Sequence, residues 1–102
     1  MSGANPARGE GAFAVGGLAV TLRPTFAALV RAEEELGPLL ALVERAAEGK
    51  LSLGEMAGLF WHCLDEGTAI PRETLGEAIV EAGLAAVTPL LRLLLQQILK
   101  GR

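Results

Sequence analysis

The sequence predicts an α+β fold, mainly α: an N-terminal β-hairpin followed by four to five short helices in one compact bundle. Three observations lead there. Two short apolar runs flank Gly16-Gly17 near the start of the chain. Beyond them, apolar residues recur at helical spacing in successive segments. Glycines and prolines punctuate those segments where helices stop and start. The 102 residues suffice for one domain, and 51% apolar against 21% charged residues excludes a disordered chain.

Residues 1–9 are small and polar and are expected to form a flexible arm, leaving 10–100 as a single α+β domain. Phe13 and Val15 alternate with smaller residues, and Leu18, Val20 and Leu22 do so beyond the Gly-Gly pair. This is a hairpin pattern with a primed turn. A lone hairpin is barely stable in water, so it must lie against helices or extend a neighbour's sheet. Pro24 and Thr25 open a first helix with Phe26, Leu29, Val30 and Leu36 near one face and Glu33, Glu34 and Glu35 turned out. Phe26 is expected to anchor the helix start in the core. Gly37-Pro38 closes this helix, and Pro38 suits the first turn of a second, through Glu48, lined by Leu39, Leu42, Val43 and Ala46.

Ser52-Leu53-Gly54-Glu55 has the capping-box spacing. Behind it Leu53, Met56, Ala57, Phe60 and Leu64 form an amphipathic stripe, which Gly67 is expected to end. Pro71 starts a fourth helix, with Leu75, Ala78, Ile79 and Ala82 on one face. Glu73, Glu77 and Glu81 share another face at i, i+4 and i+8. Like charges at that spacing repel, so this stripe would welcome a basic partner. Gly83 interrupts the pattern. The last segment runs to Lys100, either as a helix begun at Pro89 with Thr88 as its cap or as a longer helix kinked there.

Charge is unevenly spread. Residues 25–83 carry four cations against eleven acids, whereas residues 84–102 carry Arg92, Lys100 and Arg102 and no acid. An acidic body and a basic, leucine-rich tail attract one another, within a chain or between chains. A net charge of −3 and 4% aromatic residues argue against nucleic acid as a partner. Residues 1–10 lack the apolar core of a signal peptide, and Leu84–Leu99 is too short and too polar for a membrane span. A cytoplasmic protein is expected, with no membrane contact.

Trp61-His62-Cys63-Leu64-Asp65 is the one cluster with catalytic residue types. Adjacent helical residues point about 100° apart, so His62 and Cys63 make no relay unaided. One His and one Cys cannot complete a metal site of their own. Gly16-Gly17 lacks the residues of a phosphate-binding loop. No catalytic residue, cofactor, metal or small-molecule substrate is expected. Gly54 and Gly58 permit close approach of another helix or make room for Trp61. The feature that competes best as functional is the last helix. Leu90, Leu91, Leu94, Leu95, Ile98 and Leu99 span nearly half its circumference, wider than the ~100° stripe that packing on one core needs. These six residues are the expected protein-binding face.

The order of segments resembles a known family. Asn5-Pro6-x-Arg8-Gly9-Glu10 precedes the hairpin, and Leu22-Arg23-Pro24-Thr25-Phe26-Ala27-Ala28-Leu29 leads into a helix ending Glu34-Glu35-Leu36-Gly37. Gly49-Lys50-Leu51-Ser52, Gly76-Glu77-Ala78-Ile79 and Ala82-Gly83-Leu84 follow. The chain is similar over about residues 5–99 to the small tail proteins of gene transfer agents and related phages. That family is also described in terms of the phage tail tube, and it resembles tail assembly chaperones. The resemblance implies non-enzymatic work in tail morphogenesis: binding the long tape-measure protein, or another tail protein, until tube protein polymerises around it. It implies a protein that is absent or scarce in the finished particle, and a chaperone that works through apolar helix faces is expected to self-associate as a homo-oligomer. The alternative is a structural subunit retained in the tail and so virion-associated. The family supplies no motif for Trp61 and Cys63.

Overall fold

A computed structural model of the chain describes residues 11–15, 18–65 and 68–100, with the backbone alone for 11–14 and 18. Two strands, β1 (Gly11–Val15) and β2 (Leu18–Leu22), pair antiparallel with Gly11 opposite Leu22 and Val15 opposite Leu18. Along β2 the period of two is plain: Val20 and Leu22 are buried, while Ala19 is exposed. The expected arm and the Gly16-Gly17 turn lie outside the described residues, as does Gly67 itself.

Five helices follow: α1 (Phe26–Leu36), α2 (Leu39–Ala47), α3 (Leu53–His62), α4 (Arg72–Ala82) and α5 (Leu84–Lys100). The fold is thus mainly α with a small β element, as the sequence predicts. Local chemistry sets the boundaries. The Thr25 hydroxyl accepts from the Ala28 amide at 3.1 Å and caps α1. Gly37, at φ 93°, ends α1 in a conformation that side chains resist. Pro38 offers α2 no side-chain cap, so the Glu33 carboxylate takes the Leu39 amide at 3.1 Å instead. Ser52 and Glu55 complete the capping box at the start of α3.

The main core draws on the hairpin and on α1, α3, α4 and α5. Helix α3 runs through its middle, with Met56, Ala57, Gly58, Leu59 and Phe60 all buried. Helix α1 comes in on its alanines: Ala28 and Ala32 are buried, Leu29 and Leu36 only partly, and Val30 is exposed. Phe26 is 84% exposed, so the expected core anchor is corrected. Gly58 of α3 lies where the last turn of α1 approaches. A Cβ there would lie 3.3 Å from the Leu36 side chain.

One further expectation is corrected, and one alternative is decided. Helix α3 stops at His62, short of Leu64. The chain leaves it to pair with β2: Leu64 bridges Leu22, Arg23 donates its amide to the Cys63 carbonyl at 2.6 Å, and Asp65 donates to Thr21 at 3.0 Å. Backbone partners offered by the open edge of the hairpin outweigh one more helical turn. Of the two forms left open at Pro89, the longer helix is the one found: α5 runs continuously from Leu84 through Pro89 to Lys100, and Thr88 is not its cap. The Thr88 hydroxyl donates back to the Leu84 carbonyl at 2.6 Å, one turn before the proline.

Candidate protein-interaction surface

Helix α5 packs against α4 and β1. The structure divides its six predicted binding residues by direction. Leu94 is 1% exposed and Leu91 8%, and with Val87 they lock the helix into the core. Leu90 and Leu95 are partly buried against that core, and Ile98 is also half-buried. Leu99 alone of the six is well exposed, at 55%, and Leu84 joins it at 52%. On a helical projection Leu84, Leu95 and Leu99 fall within roughly 60° of one another, an apolar edge along the helix. The apolar arc is therefore wide because one side serves the fold and the other edge reaches water.

A second apolar surface lies between α3 and α4. It is a groove of about 610 Å³ with Leu53 and Val80 at its sides and Gly54, Ala57 and Gly76 along it. Leu53 and Val80 are both exposed. A Cβ on Gly54 would meet nothing within 4 Å, and one on Gly76 only the Ala57 methyl at 3.9 Å, so the groove has room to spare. Glu73, Glu77 and Glu81 border it, all exposed, which is where the sequence places them. The groove itself is not legible in the sequence. Its signal was the small residues Gly54, Ala57 and Gly76, which lie on two helices.

The polar residues around Trp61 form a joint between three helices. Glu35 in the last turn of α1 faces His62 in the last turn of α3, with Nε2 and Oε1 2.8 Å apart. Arg72, opening α4, donates to both oxygens of the same carboxylate, to Oε1 at 2.7 Å. Its guanidinium sits 4.6 Å from the centroid of the Trp61 ring, and Trp61 donates Nε1–H to the Ile70 carbonyl at 2.8 Å. Hydrogen bonds from Arg72, then from His62, hold the Glu35 carboxyl down at about 2, and the same carboxylate raises Arg72. The three-glutamate run is therefore only partly a solvated face: Glu33 caps α2, Glu35 ties three helices, and Glu34 is left to solvent.

Cys63 is fully buried, and that burial pushes its thiol up to about 12. It is a protonated core residue at neutral pH, without nucleophilic character. Among the described residues no three His, Cys, Asp or Glu side chains gather as a metal site, and no single helix is long and apolar enough to cross a membrane. A pocket of about 520 Å³ beside Trp61 and His62 is also lined by Arg31, Asp65 and Thr68, and it brings no activated nucleophile to a base.

Fold and surface together define a small helical protein whose distinctive features are apolar faces turned outward. Residues 8–101 match the family described as "Phage tail tube protein, GTA-gp10". The chain belongs to that family, a family of phage and gene-transfer-agent tail proteins. No curated protein and no solved structure matches the chain.

Proposed function

We propose that this chain is a non-enzymatic tail morphogenesis protein, an assembly chaperone that binds the tape-measure protein in the cytoplasm of the cell building the particle. The observation that carries this reading is the apolar edge of α5, where Leu84 and Leu99 stand exposed beside Leu95. A long helical client with apolar stripes aggregates unless those stripes are covered, and an exposed leucine edge on a firmly anchored helix suits that task. Within the predicted face, Leu91 and Leu94 have the role of holding α5 in place. Leu99, with the half-buried Leu90, Leu95 and Ile98, would make the contact.

Co-expression tests this. Wild-type protein should keep the tape-measure protein in the soluble fraction, and the Leu84→Glu, Leu99→Glu double variant should lose that ability while melting like wild type. A double variant that solubilises the client equally well would remove the α5 edge from the mechanism. The family's own description favours a second reading, a structural subunit of the tail tube. Mass spectrometry of purified particles separates the two: a retained subunit appears at stoichiometric copy number, a chaperone does not.

A further inference from the structure

We infer that the acidic stripe and groove of α4 receive the basic outer face of α5 from a second copy of this chain. The two helices carry matching surfaces in the same spacing. On α4, Glu73, Glu77, Val80 and Glu81 stand at i, i+4, i+7 and i+8, and all four are exposed. On α5, Arg92, Gln96, Leu99 and Lys100 stand at i, i+4, i+7 and i+8, and all four are exposed there too. Each set covers about 12 Å of helix on one side. One presents three carboxylates and an apolar residue; the other presents two cations, an amide and an apolar residue.

Within one chain the two surfaces do not meet. The helix axes turn by 118° where α4 gives way to α5 at Gly83. Among the described residues none of Glu73, Glu77, Glu81, Arg92 and Lys100 takes part in an ion pair. Three like charges on successive turns repel one another, and cations from outside relieve that. Beside the acids lies the open groove, whose glycines leave space for Leu99 of the second copy, so that Leu99 stays open to a client only on a copy whose α5 is unengaged. Arg72 borders the same groove, but Glu35 binds its guanidinium, so it does not neutralise the stripe. Because the donor surface and the acceptor surface differ, the contact is head-to-tail. A pair joined in this way keeps one free surface of each kind, and association continues to a ring or a filament.

Sedimentation velocity on the purified full-length chain tests the inference without any tape-measure protein, so its outcome is separate from that of the chaperone reading. Wild type should associate with rising concentration, and salt should weaken the association. Glu77→Lys with Glu81→Lys, and separately Arg92→Glu with Lys100→Glu, should each weaken it by about tenfold or more, because like charges then face each other. Mixing the two variants should restore assembly, since each supplies the surface the other lacks. All four positions are exposed, and circular dichroism melts check that the fold is kept. Should the lysine pair fail to fold, Glu77→Gln with Glu81→Gln gives the same test with a smaller loss. A monomeric wild type overturns the inference, as does one whose groove captures only a basic helix of another tail protein. So does association that either charge reversal leaves intact, or variants that fail to recover on mixing.

Discussion

Helices α3 and α5 are both rich in apolar residues, yet the fold spends them differently. Helix α3 has neighbours on both flanks, α1 and α4, and its end is stitched to β2 through Leu64. Five consecutive residues, Met56 to Phe60, are buried, which no single stripe would require. Helix α5 packs against α4 and β1, and its buried residues Val87, Leu91 and Leu94 keep the i, i+4, i+7 rhythm of a stripe. Hydrophobic content alone does not say which face is for folding and which for company. How much of a helix's circumference its neighbours cover decides it.

Truncations measure the difference, beginning with the largest effect. Phe60→Ala should cost about 3–5 kcal/mol of unfolding free energy, and Leu94→Ala about 2–5, because each empties a closed site. Leu99→Ala should stay within about 0.5 kcal/mol, as an exposed side chain leaves no cavity. Denaturant titrations rank the three, and a Leu99→Ala cost close to that of Leu94→Ala would erase the distinction between the two sides of α5.

Thiol labelling sharpens the same contrast. In a Leu99→Cys variant the new thiol should react with an aromatic disulfide reagent at once. Cys63, buried and protonated at neutral pH, should react only as fast as the core opens. Equal rates would mean that the end of α3 is not closed.

The smallest effect concerns the joint that holds α3 against α1 and α4. The Glu35 carboxyl is lowered from 4.5 to about 2 by Arg72 and His62. A lowered carboxyl stabilises the fold fully above its unfolded value, and that stabilisation fades as pH falls from about 4.5 through about 2. The carboxylate keeps partial contact with solvent, so screening holds the contribution below about 1 kcal/mol. Wild type minus Glu35→Gln, measured by melting at successive pH values, should show a gap at neutral pH that narrows across that window. A gap independent of pH would assign the effect to packing instead.

What the sequence disclosed follows the range of each interaction. Ser52 and Glu55 are three residues apart, Thr25 caps the helix that follows it, and Gly37 and Gly83 stop theirs in place. Such contacts are local, so spacing reveals them. The hairpin and the count of helices rest on the same local rules. Glu35 meets His62 27 residues away and Arg72 37 residues away, and no periodicity encodes such a meeting. The early end of α3 was hidden for the same reason, since its cause is a strand 42 residues upstream of Leu64. In the candidate surface, the breadth of the α5 arc was legible, but which of Leu90 to Leu99 face inward depends on where α4 and β1 sit. Phe26 misled because hydrophobicity suggested an anchor, while the residues that α1 buries are Ala28 and Ala32.

The bridge between Leu22 and Leu64 also fixes an order of events during synthesis. The first strands leave the ribosome long before the segment that seals their edge. Until residues 63–65 emerge, the outer rim of β2 carries free amides and carbonyls, a template for any extended chain nearby. A nascent chain stalled before Cys63 would therefore be the species most prone to aggregate. Release of the next few residues closes the Thr21–Arg23 end of that rim from within.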